Sequence, residues 1–346
     1  MDALLDDRIA IWLGGAEAMR VIDDASAAVV REEVRARGAA AGLDTDACER
    51  LAAAASEVAR NQLRHAGGGT IGFRSIARGS VAGLEVIAAD RGRGIADPTA
   101  ALVRAAPAPT PGLGGGLGVG LSAAYRLADE VDFDVRAGTG TCLWLRAFVT
   151  PLARSEVAIM SRPCSGESVI GDDATFVRSP DGLIVAVIDG VGHGGPAHDA
   201  ALRAAAELRA RADRSPDEIL AAIDTALVST RGVVMSIARI DHDRHEITHA
   251  AAGNVTARVA RRDGSVHAFG GVSRTLGTRQ PARKISVERT GAHELAALVL
   301  YSDGITSGID LTAQRELLRS PPLVIAHQLI ARHARSNDDV TVLVAR

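Results

Sequence analysis

Four acidic motifs stand at the edges of apolar, strand-like runs in the second half of the sequence. They are IGDDATFV with Asp172 and Asp173, VAVIDGVGHGG with Asp189, LVLYSDGIT with Asp303, and RSNDDVTVLV with Asp338 and Asp339. Any one Asp-Gly after a strand is an ordinary turn. Carboxylates gathered at one end of a sheet are a different matter, because they repel one another and need a cation between them. Oxygen-only ligation suits Mg²⁺ or Mn²⁺ rather than zinc, and no Cys/His pair competes for the role. Two such ions can hold a bridging water, lower its pKa and polarise a phosphoryl oxygen for in-line attack. The implied chemistry is hydrolysis of a phosphate ester without a covalent enzyme intermediate.

A second constellation lies in the first half. In EVARNQLRHAGGGT the residues Glu57, Asn61 and His65 recur every four positions and share one face of a helix that ends on glycines. Alone, that is a solvated polar face. Downstream, AADRGRGIAD ends an apolar strand on Asp90 and follows it with Gly92 and Gly94. This places a carboxylate beside closely approaching backbone, where an adenine amine is a suitable partner. GLGGGLGVGLS then supplies Gly114, Gly115, Gly116, Gly118 and Gly120 just before a helix, and such backbone N–H groups suit phosphates. The register does not fit GxGxxG and no GKS or GKT occurs, so Rossmann and P-loop folds are excluded.

These residues need elements to carry them. AEAMRVIDDASAAVVREEVRARGAAAG has apolar residues at helical spacing and ends on glycine. The helix with Glu57 follows, then strands GTIGFRSI and GLEVIAAD, a short helix PTAALVRAA, a glycine loop, a helix LSAAYRLADEV, and a closing hairpin of DFDVRAG and TCLWLRAFV. TPLARS is the best boundary, giving domains of 1–150 and 151–346. Beyond it strands dominate: SEVAIMSRP, ATFVRS, LIVAVIDG, VVMSIARID, EITHAAAGN, VTARVARR, LAALVLYSDG and VTVLVAR. Helical patterns interrupt them at PAHDAALRAAAELRARA, SPDEILAAIDTALVST and LTAQRELLRSPPLVIAHQLIARHARS. The fold class expected is α+β: an α/β sandwich, then two packed sheets covered by helices.

With 346 residues the chain suggests more than one core. Its net charge of −3 and lack of a dense Lys/Arg block argue against nucleic acid and anionic membrane as partners. No apolar run reaches a membrane span, and MDALLDDRIA is acidic where a signal peptide is basic. The cysteines Cys48, Cys142 and Cys164 form no CxxC, so a disulfide frame or zinc site is not expected. A cytoplasmic protein is the natural reading.

The first-half boxes, Glu-x-x-x-Asn on a helix, DxGxG after a strand, glycines before a helix and a late Gly140-Thr141, resemble the GHKL (Bergerat) ATP-binding fold over roughly residues 15–150. Within it the match is to RsbT/RsbW-type anti-sigma and switch kinases. The resemblance implies ATP as cofactor, with Asn61 on its Mg²⁺, Asp90 on adenine, Gly92 and Gly94 shaping the pocket, and Glu57 as base toward a protein hydroxyl or water. His65 inherits no role and is read as a rim residue. The second-half motifs GD, DGxGHG, SDG and DDxT, together with AAGN (251–254) and SRTLG (273–277), resemble the metal-dependent serine/threonine phosphatases of the SpoIIE/RsbX type over nearly all of residues 155–346. That family implies a four-layer α-β-β-α domain with Mg²⁺ or Mn²⁺. It implies Asp189 bridging both metals, the Gly190 carbonyl on one of them, and Asp303 and Asp338 completing the shell of the second metal. Asp172 is preferred over Asp173 as the first-motif ligand, but the doubled acid leaves the register open. His193 is either a proton donor or a loop-shaping residue. An arginine to hold the phosphate has no clear counterpart, Arg162 being the nearest candidate. Together the halves imply a bacterial partner-switching regulator acting on a STAS-type antagonist protein. A non-catalytic protein that sequesters a partner according to ATP occupancy is the alternative, and a homodimer is compatible with the sequence.

Overall fold

The computed structural model describes residues 2–103, 119–278, 285–306 and 308–346. The chain divides into two compact units, Met1–Glu156 and Val157–Arg346. Among the described residues no helix is long and apolar enough to cross a membrane.

The first unit runs α1 (Asp2–Leu13), β1 (Glu17–Val21), α2 (Asp24–Ala40), α3 (Thr45–Ala66), β2 (Gly69–Arg78), β3 (Val81–Asp90), α4 (Pro98–Leu102), α5 (Val119–Leu127), β4 (Glu130–Arg136) and β5 (Gly140–Phe148). Its strands pair antiparallel in the order β1-β2-β3-β5-β4. One face carries Ile71, Leu84, Val86, Phe133 and Leu145, all buried beneath the helices. Each such side chain contributes about 1.5–3 kcal/mol on burial. The opposite face carries buried charges instead, with Arg146 bridging Glu85 at 2.8 Å and Asp132 at 2.7 Å.

The helical pattern expected from Ala16 splits in two. Glu17–Val21 is an edge strand, because pairing Glu17 with Phe73 through Val21 with Gly69 gives it a ladder. The helix starts only after Asp23, which accepts from Ser26 N at 2.8 Å while Ser26 Oγ accepts from Asp23 N at 3.0 Å. The glycine loop falls almost wholly outside the described residues.

The second unit runs β6 (Val157–Arg162), β7 (Asp172–Ser179), β8 (Gly182–Gly190), α6 (Gly195–Ala210), α7 (Pro216–Ala226), β9 (Val233–Asp241), β10 (Glu246–Ala252), β11 (Thr256–Arg261), β12 (Val266–Ala268), β13 (Glu288–Gly291), β14 (Leu295–Tyr301), α8 (Pro322–His333) and β15 (Val340–Ala345). Two antiparallel sheets, β6-β15-β14-β11-β12 and β13-β10-β9-β8-β7, face each other. Ile159, Val185, Val187, Val259, Leu300 and Leu343 fill the space between them. Helices α6 and α7 cover the outer face of the second sheet with Ala201, Leu208, Ile219 and Ile223, and α8 packs on β6 and β15. The result is the four-layer α-β-β-α arrangement. The last helical pattern is shorter than its periodicity suggests, since α8 begins only at Pro322, the second of two consecutive prolines.

Candidate functional site

Strand pairing assembles the acidic cluster. Asp172 opens β7 and Asp189 nears the end of β8, and the two are direct register partners. Asp303 follows β14 and Asp338 precedes β15, so all four carboxylates come to one end of the two sheets. Burial drives the Asp172 carboxyl well above the usual range, and Asp189 pushes it further while the Ser302 hydroxyl pulls the other way. Asp189 is raised to about 7 by burial and by the charges of Asp303, Asp338 and Asp339, and it shares a hydrogen bond with Asp303. Asp338 is raised by burial and by Asp303. One oxygen of Asp172, Oδ2, is buried with no hydrogen-bond partner.

The doubled acids separate. Alternation along β7 turns Asp173 to the opposite face, where its Oδ1 accepts from Ala174 N at 2.8 Å. Asp339 accepts from Cys164 N at 2.8 Å and from Gly171 N at 2.7 Å, clamping the segment before β7 to the start of β15. Asn254, in the AAGN segment, donates its Nδ2 to Asp303 Oδ2 at 2.9 Å. Gly190 allows no side chain, because a Cβ there would lie 2.3 Å from the Ala197 carbonyl. His193 stands apart: its ring is exposed and its Nδ1 lies 2.9 Å from Glu167 Oε1. Arg162 spends its Nη2 on the Arg335 carbonyl at 2.8 Å. Among the described residues no three acidic, histidine or cysteine side chains close into a ready-made metal cage.

In the first unit, α3 is capped at one end by Asp44, which accepts from Ala47 N, and at the other by Gly67 in the left-handed region. It presents Glu57 and Asn61 to the start of α5. A Cβ on Gly120 would lie 2.8 Å from Glu57 Oε2 and 3.3 Å from the Asn61 amide, so both side-chain ends lie against the start of α5. Glu57 Oε1 is also ion-paired with Arg60 at 2.5 Å. Asp90 pairs in register with Thr141, and its carboxylate accepts from Gly92 N at 2.8 Å and from Thr141 N. Burial raises its pKa, while those donors and the nearby His65 pull it down. Gly94 packs against Val135. The structure thus brings together Asp90, Gly92, Thr141 and His65, and separately Glu57, Asn61 and Gly120. Gly114, Gly116 and Gly118 lie outside the described residues.

Comparison with known proteins agrees with both halves. Residues 22–147 match the histidine kinase-like ATPase domain family, and residues 179–346 match the Stage II sporulation protein E (SpoIIE) family. Serine/threonine-protein kinase RsbT of Bacillus subtilis (strain 168) is 40% identical over 101 residues, which cover 28% of this chain and 72% of that protein. A structure described under the bacterial stressosome as a modular system that controls secondary messenger signalling aligns with a TM-score of 0.53 and 26% identity, over 56% of this chain and 100% of that one. RsbX in complex with magnesium aligns with a TM-score of 0.49 and 20% identity, over 55% of this chain and 94% of that one. Through its first unit the chain belongs to the RsbT family, and residues 179–346 of its second unit match the SpoIIE family.

Proposed function

We propose that the second unit removes phosphate from phosphoserine or phosphothreonine on a small STAS-type antagonist protein, and that the first unit binds ATP with Mg²⁺ and either phosphorylates such a protein or gates the phosphatase. The observation that carries the first half is the register pairing of Asp172 with Asp189, itself hydrogen-bonded to Asp303. Carboxylates held this far above their usual range, with a buried oxygen of Asp172 left unpartnered, fit a divalent cation, Mg²⁺ or Mn²⁺. Asp172, Asp189, Asp303, Asp338 and the Gly190 carbonyl would hold it. Bound there, it supplies Lewis acidity and a water of lowered pKa. Asn254 orients Asp303 through its amide, and Asp339 holds Gly171, the residue just before Asp172. Asp173 faces away from this set, and His193, held by Glu167, shapes the loop rather than donating a proton.

In the first unit Asn61 would face the Mg²⁺ of ATP, and Asp90 would accept from the adenine amine while Gly92 N and Thr141 N steady it. Glu57 is the base for transfer to a protein hydroxyl. The kinship with a named serine/threonine-protein kinase and the likeness to a stressosome component support a partner-switching setting. Opposing activities in one chain would cycle ATP wastefully unless a partner selects between them, so the chain is a regulator.

A second reading, ATP-dependent sequestration of a partner without phosphotransfer, is favoured by the Glu57–Arg60 ion pair, which occupies the proposed base. Labelled ATP with a STAS protein separates the two, comparing wild type with Glu57→Ala and Asn61→Ala. Transfer that Glu57→Ala abolishes supports the kinase; ATP binding with no label moved supports sequestration. For the phosphatase, Asp189→Asn is expected to abolish Mn²⁺-dependent phosphate release, and undiminished turnover in that variant would refute the site.

A further inference from the structure

The acidic cluster can hold cations, but it presents a phosphate dianion with a surplus of negative charge. Asp172, Asp189, Asp303 and Asp338 already bring four carboxylates to one place, and a phosphate monoester adds about −1.5 to −2 more. Recognition of such a group calls for a guanidinium whose fork is not already spent on a protein carboxylate. Two other arginines near the cluster already have a partner or a charge to act on. Arg162 donates to the Arg335 carbonyl, and the Arg335 charge is felt by Asp338.

Arg231 is different. It precedes β9, in line with the end of β8, where Gly190 pairs with Val233 and Asp189 with Val234. Val191 N donates to the Gly232 carbonyl at 3.1 Å, so the loop after Asp189 and the segment bearing Arg231 are tied together. The guanidinium lies directly over that loop: a Cβ on Gly192 would stand 3.0 Å from Arg231 Nη1, and Gly192 holds a φ of +87° that favours glycine. The segment is fixed in advance. Thr230 Oγ1 donates to the Leu227 carbonyl at 2.8 Å and accepts from Gly232 N at 3.0 Å, while Arg203 Nη1 donates to Ser229 Oγ at 3.4 Å. Among the described residues no acidic side chain pairs with Arg231. It stands three residues before Val234, the register partner of Asp189.

We propose that Arg231 binds the phosphoryl group of the substrate at the rim of the aspartate cluster, an inference that rests on reading the second unit as the phosphatase site. A preset, unpaired guanidinium makes the site selective for the dianion over the neutral product side chain, which carries no charge for it to hold. It takes no part in proton transfer.

The test uses the full chain with Mn²⁺ and inorganic phosphate as the probe. Phosphate affinity is measured by calorimetric titration for wild type, Arg231→Gln, Arg231→Lys and the remote surface variant Arg262→Ala. Arg231→Gln is expected to bind phosphate roughly 10- to 100-fold more weakly, the loss a charge-assisted hydrogen-bond pair carries. Its KM for a phosphoserine peptide should rise by a similar factor while Mn²⁺ affinity stays unchanged. Arg231→Lys should recover part of the loss and Arg262→Ala should match wild type. Phosphate binding within twofold of wild type in Arg231→Gln overturns the inference, as does failure of the wild type to bind phosphate at all. If the wild type releases no phosphate from the peptide but binding still depends on Arg231, the phosphatase reading falls and the anion site stands.

Discussion

Replacing Asp189 by asparagine should stabilise the metal-free protein and destroy its activity together. In the fold Asp189 is raised from 3.8 to about 7, chiefly by burial and then by Asp303 and Asp338. A carboxyl whose folded pKa lies above its unfolded one favours the fold only while protonated. That stability is fully present below about pH 4 and is lost as pH rises through about 7. The displacement of about three pH units, at about 1.4 kcal/mol each, sets a ceiling of about 4 kcal/mol. Solvent at the rim of the cluster trims this to about 2–4 kcal/mol. Asparagine keeps the shape and can still hydrogen-bond Asp303, but carries no charge. In EDTA at pH 8 the second unit of Asp189→Asn should therefore melt about 5–15 °C above wild type, with the gap closing toward pH 4. Adding Mn²⁺ should raise the wild-type transition and leave the variant where it was. Calorimetry at pH 4 and pH 8, with and without Mn²⁺, reads all of this. The reasoning fails if the variant melts at or below wild type in EDTA at pH 8, or if the gap is the same at both pH values.

Three further outcomes are expected. Gly120→Ala places a methyl 2.8 Å from Glu57 Oε2 and 3.3 Å from the Asn61 amide; both side-chain ends must turn aside, at a cost of up to about 1 kcal/mol, and ATP binding should weaken by up to roughly 5-fold in a fluorescent-nucleotide titration. Arg146→Met removes the cation shared by Asp132 and Glu85, although Glu85 keeps Arg74, and should destabilise the first unit by up to about 3–5 kcal/mol, read from its urea midpoint. His249 is buried against Phe269, bonds Ser236 through Nε2, and has its pKa lowered to about 4 from 6.5, mainly by burial. It must stay neutral in the fold, so its contribution is fully present above pH 6.5 and is lost as pH falls toward 4, by up to about 3 kcal/mol. The difference between the urea midpoints of wild type and His249→Gln should shrink across that window.

What the sequence could and could not reveal follows from how local each feature is. An aspartate ending an apolar run, as in LIVAVID and LVLYSD, is readable because both the strand and its exit are written in adjacent residues. The doubled acids are not. Asp172 joins the cluster because strand parity and pairing with β8 point it there, and a one-residue shift would have selected Asp173. Asp339 is taken by Cys164 N and Gly171 N, donors from far upstream that no local pattern announces. The edge strand β1 reads as helix because five residues cannot fix a period, and only its pairing with β2 decides the matter. Strands β12 and β13 are too short to carry a pattern at all. Asn254 sits in the readable AAGN segment, but its task is defined by β14, which carries Asp303 to it. Arg231 lies at the far end of that scale. Nothing in TRG marks it, and its meaning comes wholly from the antiparallel register that sets it over Gly192. The carboxylates of this site are therefore partly legible from strand exits, whereas the groups that orient them and meet the phosphate are created by pairing between distant segments.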